Sequence, residues 1–140
     1  ADNPAFGISR VDVDRAGPHF SVDMVRLAQA ELGPDVELFF LMGLDSLANI
    51  LTWHQPARLL EMCRLVVASR PGIDLDMPRI LAVLPQVEER IVRINMPLME
   101  ISGGDLRRRR AAGLSIRYLT PESVRLYVEA HRLYEPGETE

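Results

Sequence analysis

Val36–Met42, VELFFLM, is apolar at nearly every position, and no other segment restricts the fold of this chain as much. A strand with one wet face alternates apolar and polar residues, whereas an almost continuous run marks a strand covered on both faces, as in the centre of a parallel sheet. The run is far shorter than the roughly 20 residues a membrane-spanning helix takes. Leu65–Ala68, LVVA, repeats the pattern and is closed by Arg70-Pro71-Gly72. Parallel neighbours need a crossover, and the segment between the two runs supplies one. It holds a short helix predicted near Asp45–Ile50 and a second that begins at Pro56 and carries Leu59, Leu60 and Cys63 on its apolar face.

The remaining segments extend this alternation. Ile8–Val13 has the period-2 pattern of a half-buried strand, and Arg15-Ala16-Gly17-Pro18 reads as a turn. Ser21 is expected to cap a helix reaching about Glu31, with Val22, Val25, Leu27, Ala28 and Leu32 as its stripe and Gly33-Pro34-Asp35 as its stop. Met77–Leu84 reads as a short helix ended by Pro85, and Ile91–Ile94 with Met99–Ile101 as a third strand region. Ser102-Gly103-Gly104-Asp105 resembles a capping box, opening a helix to about Ala112 with Gly113 as its stop. Thr120-Pro121-Glu122 is a start signal for a last helix to about His131. Helices alternating with short buried strands indicate an open parallel α/β sheet, whose ligands bind beyond the carboxyl ends of the strands.

Composition narrows the class. With 140 residues, 47% hydrophobic and 26% charged, the chain is expected to form one domain with a real core. A net charge of -4 argues against a general nucleic-acid or anionic-membrane binder. Cys63 is the only cysteine, so no disulfide forms within the chain, in keeping with a reducing compartment. No charged region followed by an apolar one appears at residues 1–4. A soluble cytoplasmic protein is expected. All 16 basic residues are arginine. That suits phosphate recognition, but genome-wide codon bias gives the same pattern and is the favoured explanation. His19, His54 and His131 show no metal-ligand spacing, so no metal site is expected, nor is a Cys-His or Ser-His-Asp constellation.

Two stretches carry the functional information. The first is Phe40-Leu41-Met42-Gly43-Leu44-Asp45-Ser46-Leu47, followed by Leu51-Thr52-Trp53-His54 and Ser69-Arg70-Pro71-Gly72. The second is Ile101-Ser102-Gly103-Gly104-Asp105-Leu106-Arg107, followed by Ser115-Ile116-Arg117-Tyr118-Leu119, Pro121 and His131-Arg132-Leu133-Tyr134. Upstream lies Asp14-Arg15-Ala16-Gly17-Pro18-His19-Phe20-Ser21. In that order and spacing the set resembles bacterial nicotinate-nucleotide adenylyltransferases over almost all 140 residues.

The resemblance implies a doubly wound, Rossmann-like nucleotidyltransferase fold. It implies transfer of an adenylyl group from ATP to nicotinate mononucleotide, with Mg²⁺ present, giving nicotinate adenine dinucleotide and pyrophosphate for NAD biosynthesis. Trp53 is then the ring that stacks on the pyridine, the backbone at His54 helps hold the nicotinate carboxylate, and Ser21 stands where the family usually has Thr. Asp45, at the end of a buried strand, is placed to accept from a ribose hydroxyl, to cap the helix that follows, or both. Ser102 to Arg107 is similar to the family's Ile-Ser-Ser-Thr-x-x-Arg segment for ATP phosphates, where a helix start offers free N–H groups and a reaching Arg. Gly103 and Gly104 depart from it by replacing hydroxyl residues. Arg107 is assigned to phosphate and Arg108–Arg110 to solvent or surface pairs, with Arg70 a weaker phosphate or adenine candidate.

The family's catalytic Gly-rich turn ending in His-x-Gly-His has no counterpart in these residues. The expectation is therefore a single domain over 1–140 that lacks the first β-α-β elements, with no catalytic residue of its own, belonging to a longer enzyme. The alternative is a catalytically incompetent nucleotide-binding domain or fragment. A homo-oligomer is left open.

Overall fold

In the computed structural model, residues 3–69, 72, 74–97 and 99–135 are described. Contacts divide the chain into two compact units, Ala1–Pro97 and Leu98–Glu140.

The first unit is a parallel three-stranded sheet with helices in its connections. Helix α1 (Ser21–Leu32) leads into β1 (Phe39–Gly43), α2 (Leu44–Ala48), a 3₁₀ turn (Ile50–Thr52) and α3 (Pro56–Met62). There follow β2 (Arg64–Ser69), α4 (Met77–Val83), α5 (Val87–Arg90) and β3 (Ile91–Asn95). The strand order is β1-β2-β3, with Phe39 opposite Arg64 and Leu65 opposite Ile91. Leu65 and Val67 on β2 are fully buried, and Leu47, Ile50, Leu59, Leu60 and Val87 close the core around them. Val22 and Val25 bring one face of α1 into the same core. Pro56 opens α3 at its first turn, where a missing N–H costs nothing. Gly33, at φ 98, follows α1 and lets the chain turn away.

In the second unit α6 (Gly103–Ala111) and α7 (Glu122–Ala130) surround Ile116 and Val128, its buried apolar residues. Ser102 caps α6, its Oγ accepting from the Asp105 N–H at 3.0 Å. Gly113, at φ 71, ends it: the Gly113 N–H donates to the Arg110 carbonyl and the Leu114 N–H to Arg109, the paired bonds of a Schellman stop.

Several expectations are corrected. Ile8–Val13 is not a strand: Val11–Asp14 forms turns, Ile8 is 94% exposed, and the Arg10–Asp14 and Arg15–Asp12 ion pairs span a helix-like spacing. Alternation specifies a strand only where a neighbour completes the ladder, and among the described residues none lies beside it. Val36–Met42 begins as a strand only at Phe39, and among the described residues β1 pairs on one side alone, with β2, leaving Phe39 51% and Leu41 64% exposed. Met99 and Ile101 are outside any strand, and a helix at Val87–Arg90 stands where the sequence reading assigned no element. Ser21 is the first helical residue and Phe20 the cap of α1. Pro121, not Thr120, caps α7, because its φ of -53 and ψ of 144 turn the chain into the helix. Asp45 does not cap α2, since Gly43 holds that position.

Candidate functional site

The first unit gathers three of the predicted site residues. A cavity of about 260 Å³ is lined by His19, Phe20, Ser21, Thr52, Trp53 and His54. It forms because the start of α1 meets the turn that follows the 3₁₀ segment. Trp53 ends that segment, its N–H donating to the Ile50 carbonyl at 3.0 Å. Gln55 then takes a left-handed conformation at φ 50, which turns the chain into α3 at once and leaves Trp53 and His54 on the preceding bend. A non-glycine residue there costs about 1–2 kcal/mol, strain that the surrounding packing sustains.

Each wall has a stated contact. The His54 imidazole stacks on Phe20 with centroids 4.1 Å apart and planes 22° from parallel. The Trp53 indole meets Phe40 edge-on, at 5.9 Å and 75°, which braces it from β1. No side chain caps α1, and among the described residues no acceptor meets the Ser21 or Val22 N–H. The helix start therefore offers free donors and a positive dipole end to the cavity. The cavity lining contains no carboxylate. His19 Nδ1 lies 3.5 Å from Asp12. Burial raises the Asp12 carboxyl, but its bonds with Arg15 and then His19 outweigh this and hold it below the usual range. Chemically the cavity suits a flat apolar ring bearing an anion.

Asp45 is not among the residues lining that cavity. It sits in the first turn of α2, just beyond the carboxyl end of β1, and its carboxylate folds back over Gly43 so that a Cβ there would collide with Oδ1. Only glycine leaves room for this arrangement. Among the described residues no donor reaches the Asp45 carboxylate, so it is free to accept from a ligand hydroxyl. Arg70 lies outside the described residues.

The second unit holds the other predicted set. Arg107 curls back toward the start of α6, with a guanidinium nitrogen 3.3 Å from where a Gly103 Cβ would stand. Gly103 and Arg107 also line a cavity of about 170 Å³ that includes Arg110, Thr120 and Tyr134. The other three arginines of the run are engaged. Arg108 pairs with Asp105 at 3.3 Å, Arg109 donates to the Ser115 carbonyl, and Arg110 pairs with Glu135 at 2.8 Å. Among the described residues Arg107 alone of the four has no such partner. A free guanidinium beside a helix start capped by Ser102 is chemistry for an anion.

Residue spacing did not expose His19, Phe20 and Thr52 as neighbours of Trp53. His19 and His54 share one cavity although nothing in their separation suggests it. The described residues contain no cluster of three or more metal-ligating side chains, and no described helix is long and apolar enough to cross a membrane.

No protein-family model matches the chain. It is 46% identical over 136 residues to a probable nicotinate-nucleotide adenylyltransferase of Thermomicrobium roseum, covering 97% of this chain and 63% of that protein. The counterpart of that name in Herpetosiphon aurantiacus is 37% identical, with coverages of 96% and 67%. The Mycobacterium avium counterpart is 43% identical, with 98% and 66%. The chain thus spans about two thirds of the length of the curated relatives it matches. Among solved structures it is similar to Plasmodium falciparum nicotinic acid mononucleotide adenylyltransferase complexed with APC, at a TM-score of 0.61 and 21% identity over 86% of this chain and 60% of that one. The same enzyme complexed with NaAD gives 0.59, covering 81% and 56%. These likenesses establish the fold.

Proposed function

The chain belongs to the nicotinate-nucleotide adenylyltransferase family, and from that premise we propose that its full-length protein transfers an adenylyl group from ATP to nicotinate mononucleotide. The observation that carries the proposal is the convergence of Ser21, Trp53 and His54 on one cavity in the first unit. The pyridine ring stacks on Trp53, and its carboxylate accepts from the free N–H groups at the start of α1 and the backbone at His54. Asp45 accepts from a ribose hydroxyl.

In the second unit Ser102, the backbone of Gly103 and Gly104, and Arg107 hold the triphosphate. These are N–H, hydroxyl and guanidinium donors, so they fit phosphate oxygens and not a cation. Mg²⁺ therefore belongs with the ATP phosphates, and no step is assigned to it through these residues. Catalysis is positioning: the mononucleotide phosphate attacks the α-phosphorus of ATP, forming the new P–O bond as the bond to pyrophosphate breaks. On this reading residues 1–140 count as one nucleotidyltransferase domain of a cytoplasmic enzyme.

The test is a transfer assay on the full-length protein with ATP, Mg²⁺ and nicotinate mononucleotide. Formation of nicotinate adenine dinucleotide and pyrophosphate in equal amounts is expected. A second reading, nucleotide binding without transfer, draws on Gly103 and Gly104 in place of hydroxyl residues. Calorimetric binding of both nucleotides with no product over background would favour it and overturn the first.

A further inference from the structure

Resting on the proposed function, we infer that Arg132–Glu135 is a strap across α6, and that Glu135, through its pair with Arg110, is a positioning residue for Arg107 at the triphosphate. After α7 the chain turns at once. The His131 N–H donates to the Tyr127 carbonyl, the Arg132 N–H to Glu129 and the Leu133 N–H to Val128. Arg132 at φ 51 and Tyr134 at φ 63 are left-handed, so two non-glycine residues within three positions bend the chain back. Glu135 then reaches Arg110 at 2.8 Å, 25 residues away in sequence. The Arg110 side chain is only 13% exposed, so the pair is partly shielded from the screening that weakens ion pairs in open water.

Arg107, Arg110, Thr120 and Tyr134 line one cavity of about 170 Å³. Its walls bound the space open to Arg107, which has no hydrogen-bond or ion-pair partner of its own among the described residues. Tyr134 stands on the strap and Arg110 is held by it, so the strap sets two of those walls. An arginine loses much rotamer freedom when a ligand fixes it, and walls that remove other directions beforehand reduce that loss. Arg107 is left pointing back to the start of α6, a guanidinium nitrogen 3.3 Å from where a Gly103 Cβ would stand. The arrangement is costly. Besides the two left-handed residues, Arg110 Nε and Thr120 Oγ1 are buried with no hydrogen-bond partner among the described residues. Backbone strain and orphaned polar atoms gathered at one cavity mark a segment shaped for a site and not for its own stability.

The experiment is isothermal titration calorimetry of the full-length protein with ATP and Mg²⁺ and, separately, with nicotinate mononucleotide. It compares the unaltered protein, Glu135→Gln, Arg107→Ala and the two substitutions combined. Glu135 is 40% exposed, and glutamine keeps its size while removing its charge, so the fold is expected to hold. Glu135→Gln is expected to weaken ATP binding about fivefold and to leave the dissociation constant of the mononucleotide unchanged. In the Arg107→Ala background the same substitution is expected to change ATP binding no further, because its effect passes through Arg107. A strap that only stabilises the fold would instead weaken ATP binding by the same factor with or without Arg107. That result, or unchanged ATP binding in Glu135→Gln, would overturn this inference and leave the proposed function standing. The expected pattern of ATP affinities in a protein that forms no product in the transfer assay would support this inference and overturn the proposed function alone.

Discussion

Gly43 and Asp45 show how much one hydrogen atom in place of a methyl group can decide. The Asp45 carboxylate lies over the Gly43 backbone, where a Cβ would collide with it. Gly43→Ala is therefore expected to push the carboxylate aside with the fold intact. The KM for the mononucleotide should rise about tenfold, the loss of one charge-assisted hydrogen bond, with ATP little affected. Steady-state kinetics with circular dichroism as the control checks this, and unchanged kinetics would remove Asp45 from the site. Cys63 is a residue-scale case of the opposite kind. It is 2% exposed, its thiol donates to the Leu59 carbonyl, and burial pushes its pKa up to about 11 against a small lowering by Arg90. A folded pKa above the unfolded one means that its contribution is complete below the unfolded value and disappears as pH rises through the folded value. Urea unfolding is thus expected to show stability falling between about pH 9 and 11, and Cys63→Ala to flatten that decline. A slope unchanged by the substitution would assign it to other groups.

At the scale of elements, the start of α6 is the part most open to improvement. Backbone donors and Arg107 are in place, while Gly103 and Gly104 offer no side-chain donor. Both positions have room: a Cβ at Gly104 meets Ser102 Oγ at 3.9 Å, and one at Gly103 meets only the mobile end of Arg107. Gly103→Ser with Gly104→Ser is expected to strengthen ATP binding by about tenfold for two added neutral donors. It should also stabilise the helix by about 1 kcal/mol as glycine is removed. Calorimetry and thermal melting separate the two effects. A stabilised helix with unchanged ATP affinity would mean that the backbone alone holds the phosphates. The helices were the most legible elements of the sequence. Pro56, Gly33, Ser102 and Gly113 are local signals, and each acts where it was read because capping involves only near neighbours. Leu65–Ala68 was legible as a strand for a different reason, since a run apolar on both faces has few other uses. Ile8–Val13 failed because a strand is a relation between two segments, and its own pattern could not supply the second. The one-sided pairing of β1 among the described residues was hidden likewise: VELFFLM says that the strand is apolar, not which neighbours it pairs with.

For the whole molecule, the site was legible only through the ordered resemblance of many short segments. Ser21 and Trp53 are far apart in sequence, and no periodicity relates them. Their meeting depends on how α1 packs against the core and on the left-handed turn at Gln55, neither of which leaves a mark at Trp53 itself. Phe20 was hidden for the same reason: as an aromatic beside a helix start it reads as core, and its stacking partner is assembled only by the fold. The two units contribute different halves of the proposed chemistry, the pyridine nucleotide in the first and the phosphates of ATP in the second. That division gives the account its most direct test, the kinetics of Trp53→Ala in the full-length protein. Loss of the stacking face is expected to raise the KM for nicotinate mononucleotide about tenfold or more while the KM for ATP changes little. Equal effects on both substrates, or none on either, would contradict the assignment of the Trp53 cavity to the pyridine ring.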